Sequence, residues 1–253
     1  MKKAYIGVTG FMLAEEVHQA LSVLPENSDR LLMVGVLASS KTLVGEKNKF
    51  PNRYPEVDVI AKIFPKSDKV LNLIHYNTKD METLAEQMIK MTNIAGENFN
   101  GLQLNIKLPN PKVLENHKKL FPNQIFVLPI SSGTFEAVGH SAEKLSEKVS
   151  EYDGLVDYIL LDPSGGYGIP FDPIKAKEYL TVLQEKNSSI MLGAAGGLSP
   201  ETLNLIEPLV PDFPQLCIDA EGRLREKETD QLIISRTKEY IKGALSLFEK
   251  TTV

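Results

Sequence analysis

Two stretches of this chain concentrate the residues best suited to chemistry. In Leu160-Leu161-Asp162-Pro163-Ser164-Gly165-Gly166-Tyr167-Gly168 an aspartate closes an apolar run and a glycine-rich loop follows. A carboxyl group so placed serves as a general acid or base once burial raises its pKa, and the loop can fold over a bound molecule. The plainer alternative is that Asp162 accepts hydrogen bonds from loop amides and stabilises the turn. In Gly193-Ala194-Ala195-Gly196-Gly197-Leu198-Ser199-Pro200-Glu201 paired glycines precede a Ser-Pro helix start. Glycine lets backbone N–H groups approach a ligand, and a helix N-terminus favours an anion, so Gly196 and Gly197 are candidates to hold a phosphate. Alternatively they only make a tight turn, with Ser199 as the helix cap.

The remaining reactive side chains are scattered. His18, His75, His117 and His140 lack metal-ligand spacing, and neither H-E-x-x-H nor C-x-x-C occurs, so no metal site is expected. His18 and His117 fall in helical stretches and read as surface residues, whereas His75 ends an apolar run and is placed to line a site. Cys217 lies inside a strand-like run, where a small buried thiol is the default. Ser131-Ser132-Gly133 lacks the strand, elbow and helix of a hydrolase serine. Glu115, Lys118, Lys119 and the charged stretch 223–230 read as solvated faces.

Eight apolar runs must position these groups: 4–9, 31–37, 70–75, 102–106, 125–130, 158–161, 190–193 and 215–219. Most lack polar alternation, which is how parallel strands covered on both faces read. Between them lie stretches with helical spacing, such as Leu13, Val17, Ala20, Leu21 and Leu24, then Leu84, Met88 and Met91, then Tyr179, Val182 and Leu183. Asn110-Pro111, Asp172-Pro173 and Ser199-Pro200 each pair a capping side chain with proline at the first helical position.

Strand followed by helix, eight times, closes into a (β/α)8 TIM barrel of about 250 residues. The competing open sheet expects G-x-G-x-x-G after its first strand, which Ile6-Gly7-Val8-Thr9-Gly10 does not supply. The expectation is a single barrel domain over residues 1–253, with an enlarged loop (38–69) after the second strand and a short helix near 57–64. Function in such a barrel gathers where the strands end. Those ends carry Gly7, Thr9, Ser39, Ser40, His75, Gln103, Asn105, Asp162, Gly196, Gly197 and the run Asp219 to Arg223, a set suited to a small polar ligand.

Composition narrows the partners. The chain has 253 residues, of which 42% are hydrophobic and 24% charged, with a net charge of −5 and no basic run. Nucleic acid is disfavoured, because phosphate contacts need clustered positive charge. No run nears the roughly 20 apolar residues of a membrane span. The single cysteine and the broken apolar stretch after Lys3, without a cleavage-like site, lead us to expect a cytoplasmic protein. The sequence sets no oligomeric state.

Five segments in order resemble phosphoribosylanthranilate isomerase. Leu160-Leu161-Asp162, Gly165 to Gly168 and Phe171-Asp172 are similar to that family's "LLD", "GGTG" and "FDW". Ala195-Gly196-Gly197-Leu198-Ser199-Pro200-Glu201 resembles its "AGGL-x-PEN". Leu102 to Asn105, Val34 to Val36 and Ile218-Asp219 are similar to its "VQLHG", "GFVF" and the start of "VDVSSGVE". The resemblance implies an aldose–ketose isomerase, an intramolecular oxidoreductase of tryptophan biosynthesis that needs no cofactor and acts on a phosphorylated sugar derivative. Asp162 would be the acid. Gly166, Gly168, Gly196 and Gly197 would hold the phosphate, with Asn105, Arg53 and Asp219 also contacting substrate.

The departures fall on the base. Ile6 stands where the family's strand-one "K-I-C-G-I" has its cysteine base, so His75 or Glu221 is expected to substitute. The "SPRY" arginine is displaced to Arg53, after an insertion, from where it could return to the site. Asn105 replaces the "VQLHG" histidine, and Ala220-Glu221-Gly222 replaces the serine pair. A lyase acting on a phosphate ester, or a barrel that binds such an ester without chemistry, is the alternative reading.

Overall fold

The computed structural model describes residues 2–163, 172–187 and 189–249. Its strands are β1 (Tyr5–Thr9), β2 (Leu31–Ser39), β3 (Val70–Asn77), β4 (Gly101–Leu104), β5 (Ile125–Ser131), β6 (Tyr158–Asp162), β7 (Met191–Ala195) and β8 (Cys217–Ala220). Each pairs in parallel with the next, and β8 pairs with β1, giving the closed (β/α)8 barrel expected. Every strand found overlaps the run that announced it, because runs such as Leu32-Met33-Val34 bury both faces at once.

Alternation within the strands sorts the two faces. Tyr5, Met33, Leu71, Leu73, Val127, Tyr158, Leu160, Ala195 and Cys217 fill the barrel interior. Ile6, Val8, Val34, Val36, Ile74, Leu128, Ile159 and Ile218 face outward against the helices. The helices are α1 (Ala14–Leu21), α2 (Ser40–Leu43), α3 (Ile60–Ile63), α4 (Leu84–Ile94), α5 (Pro111–Leu120), α6 (Ser132–Ala137), α7 (Ala142–Ser150), α8 (Pro173–Lys186) and α9 (Ile234–Glu249). The enlarged loop after β2 is present, and α3 is the short helix expected within it.

Asn110 and Asp172 cap α5 and α8 as their Asn-Pro and Asp-Pro pairs promised, their side chains accepting from Lys112 N and from Ile174 N and Lys175 N. The Ser-Pro pair misled. Residues 200–205 form a six-residue 3-10 turn in place of an α-helix, and the Ser199 hydroxyl bonds Glu201 and Thr202 side chains without capping the backbone. Leu13 is not part of the α1 stripe but its N-cap, 57% exposed, with Glu16 Oε2 accepting from the Met12 and Leu13 amides.

Two further expectations are corrected by packing. His117 is buried at 3% exposure, not on the surface, because α5 turns it between the Phe121 and Phe126 rings while its Nε2 meets Gln124 and Thr92. The stretch 223–230 is only partly solvated. Its Arg225 is 5% exposed, with guanidinium hydrogen bonds to the Asn52 and Asp230 carbonyls. Gly10, at φ +101°, makes room for that guanidinium, since a Cβ there would lie 1.8 Å from Arg225 Nη2. Cys217 is buried in the interior as expected, and burial pushes its thiol up to about 12.

Candidate active site at the barrel mouth

Continuing the inward positions to the strand ends exchanges apolar for polar side chains. Above Leu73 comes His75, above Gly101 comes Gln103, above Leu160 comes Asp162 and above Cys217 comes Asp219. These four line one recess with Ala195, Gly196, Gly197, Glu221 and Arg223. The recess spans about 420 Å3 counting its open side.

Asp219 is 6% exposed. Thr9 Oγ1 lies 3.1 Å from each of its carboxylate oxygens, and Gln103 Nε2 donates to Oδ2 at 3.2 Å. Gly7 opposite it on β1 is required by closeness, because a Cβ would lie 2.8 Å from Asp219 Oδ1 and 2.7 Å from Met33 Cε. Burial pushes the Asp219 carboxyl up to about 7; Glu221 and Asp162 add to the rise, against the hydrogen bonds from Gln103 and Thr9. His75 is 8% exposed, and among the described residues neither ring nitrogen has a hydrogen-bond partner. Burial holds its pKa below the ordinary value, while the charges of Glu221 and Asp162 pull the other way. Burial thus favours its neutral form.

Arg53 does return from the loop after β2, but to a carboxylate pair. Its Nη1 bonds Glu221 Oε1 at 2.8 Å, and Nε and Nη2 bond both Asp230 oxygens at 2.7 Å. The fork is thus committed to Glu221 and Asp230. Asn105 lies just past β4, where its amide donates to Tyr76 O, and it does not line the recess; Gln103 takes that place. Gln103 stands among the strand-end residues and in the segment similar to "VQLHG" without an assigned role, and alternation along β4 puts it inward with Gly101. Gly166 and Gly168 lie outside the described residues.

Ile6 needs a different account from the one its alignment suggests. Its side chain is fully buried on the outer face, against the helices, so no group at position 6 reaches the mouth. The inward residues of β1 are Tyr5, Gly7 and Thr9, and none is a base: Gly7 has no side chain and the Thr9 hydroxyl is engaged by Asp219. Strand one supplies no base, for a reason of geometry.

Gly196 and Gly197 have φ of +119° and +62° and turn the chain at the rim of the recess. The α-helix that was to follow them is the 3-10 turn, whose first-turn Glu201 is itself a carboxylate paired with Arg236 Nη1 and Nη2 at 2.7 and 2.6 Å. Among the described residues no group of three or more His, Cys, Asp or Glu could hold a metal ion. No helix among them is long and apolar enough to cross a membrane.

No family model matches the chain, and no curated protein matches it. Similarity appears among solved structures. A phosphoribosylanthranilate isomerase from Thermotoga maritima is 15% identical with a TM-score of 0.57, covering 95% of this chain and 98% of that one. An octameric ribulose-1,5-bisphosphate carboxylase/oxygenase from Pyrococcus horikoshii is 13% identical with a TM-score of 0.60, over 99% of this chain and 61% of that one. The active domain of a chitinase from Pyrococcus furiosus is 13% identical with a TM-score of 0.57, over 97% and 96%. At these identities the likeness is one of fold: this chain shares the TIM barrel of all three.

Proposed function

We propose that this chain is an acid/base enzyme of the aldose–ketose isomerase kind, acting at the barrel mouth on a small sugar derivative. The observation that carries the reading is His75: a buried imidazole, its neutral form favoured by burial, with both nitrogens unpartnered among the described residues, lining the same recess as Asp162. Moving a proton between adjacent carbons needs a base to remove it and an acid to serve the oxygen. His75 is the base. Glu221 is the weaker candidate, because Arg53 stabilises its carboxylate at 2.8 Å and restrains it. Asp162, at the end of β6 and lining the recess, is the acid.

A phosphate on the substrate would lie toward Gly196 and Gly197, away from the carboxylates at the inner end. Its support is the backbone of that bend alone, since the 3-10 turn offers no helix N-terminus.

The test is proton exchange in deuterium oxide with a panel of aldose and ketose derivatives, free and phosphorylated. The wild-type protein is expected to place deuterium on the carbon beside the carbonyl of at least one member. His75→Gln and Asp162→Asn should each lower that rate by about 10²–10⁴-fold. Exchange unaffected by both substitutions contradicts the assignment, and saturable binding without exchange points to a barrel that only binds.

A further inference from the structure

The recess carries buried hydrogen-bonding atoms that the described residues leave partly or wholly unserved. Gln103, 2% exposed, spends its Nε2 on Asp219 and leaves Oε1 buried without a partner. Among the described residues Asp219 receives Thr9 and Gln103, and once ionised its carboxylate offers about four acceptor sites. His75, also buried and unpartnered, faces the same space. Buried polar atoms are seldom left unpaired, so this set is arranged for a group that brings donors.

Charge decides which donor group. Asp162, Asp219 and Glu221 line the recess, against Arg223 as the one cationic lining residue among the described residues, and Arg53 is committed to Glu221 and Asp230. An anion placed at the inner end meets carboxylates, and a hydroxyl brings a single donor without charge. An ammonium group brings three donors and a positive charge.

We propose that the inner end of the recess binds a protonated primary amine, held by Gln103 Oε1 and Asp219 in the field of Asp162 and Glu221. The substrate is then an amine-bearing sugar derivative, and His75 stands beside the carbon skeleton that carries the amine. This rests on the recess being the substrate site.

The probe is methylammonium chloride, followed through the ring nitrogen resonances of His75 at matched ionic strength. Methanol and tetramethylammonium chloride are the controls, the first lacking charge and the second lacking N–H donors. Methylammonium should shift the His75 signals saturably, with half-saturation on the order of 10 mM, as befits two non-hydrogen atoms. Neither control should do so below roughly tenfold that concentration. Asp219→Asn should weaken methylammonium at least about tenfold; Gln103→Leu, which keeps the charge, should weaken it less. The proposal is overturned if methanol matches methylammonium, if tetramethylammonium does, or if methylammonium leaves His75 unmoved. Proton exchange that persists in the sugar panel while methylammonium fails sinks this inference and spares the enzyme reading.

Discussion

Asp219 shows how strongly a single residue's surroundings can bias its chemistry. Its carboxyl titrates near 7 in the fold, against about 3.9 for a carboxyl in an unfolded chain. Between those values the folded protein holds a proton that the unfolded chain has released. Stability from this group therefore falls as pH rises through the window, by about 1.4 kcal/mol per unit, and the loss is complete above 7. Asp219→Asn removes the titration while keeping the shape. Relative to wild type, the variant should gain about 2–3 kcal/mol in urea unfolding at pH 7.5 compared with pH 5. Parallel pH profiles would show that Asp219 keeps an ordinary pKa. A second residue-scale prediction concerns position 6. Ile6→Cys places a thiol on the helix-facing side of β1, so it should resist thiol reagents in the native state and react only on unfolding. Rapid native labelling would mean that β1 is turned the other way.

At the scale of elements, the loop after β2 is strapped to the loop after β8. Arg53 binds Glu221 and Asp230, Asn52 Nδ2 donates to Thr229 O, and Arg225 reaches back to Asn52 O. These partners lie more than 160 positions apart, which is why the sequence read 223–230 as a solvated face: its charges are matched by residues no local pattern reveals. Arg53→Met breaks two partly buried ion pairs and leaves two carboxylates beside each other. The cost should be about 1–3 kcal/mol, between the values for exposed and buried pairs, and proteolysis within residues 44–56 should accelerate. Unchanged stability and unchanged cleavage would mean that the strap carries no weight. The strands were legible because doubly buried runs have a composition of their own. The 3-10 turn was not, since Ser-Pro marks a start without stating the hydrogen-bond pattern that follows.

On the scale of the whole molecule, the barrel was legible because strand, helix and length agree on one closed architecture. It carries the site as far as naming which positions reach the mouth: Asp162, His75, Gly196, Gly197, Asp219 and Glu221 do line one recess. Which of them are free to act was not legible. That depends on pairings made across the barrel, such as Arg53 with Glu221, and on the inward parity that gives Gln103 the place expected of Asn105. A second cavity, of about 620 Å3 counting its open side, lies within the loop after β2 between Thr42 and Glu56, and is larger than the recess at the mouth. The choice between the two follows from chemistry, because the mouth holds the buried, unpartnered His75 and Gln103. A crystal structure with a sugar derivative selected by the proton-exchange panel tests this most directly. The ligand is expected at the mouth, its polar atoms on His75 and Asp162 and its outer end at Gly196 and Gly197. A ligand seated between Thr42 and Glu56, with His75 untouched, would contradict it.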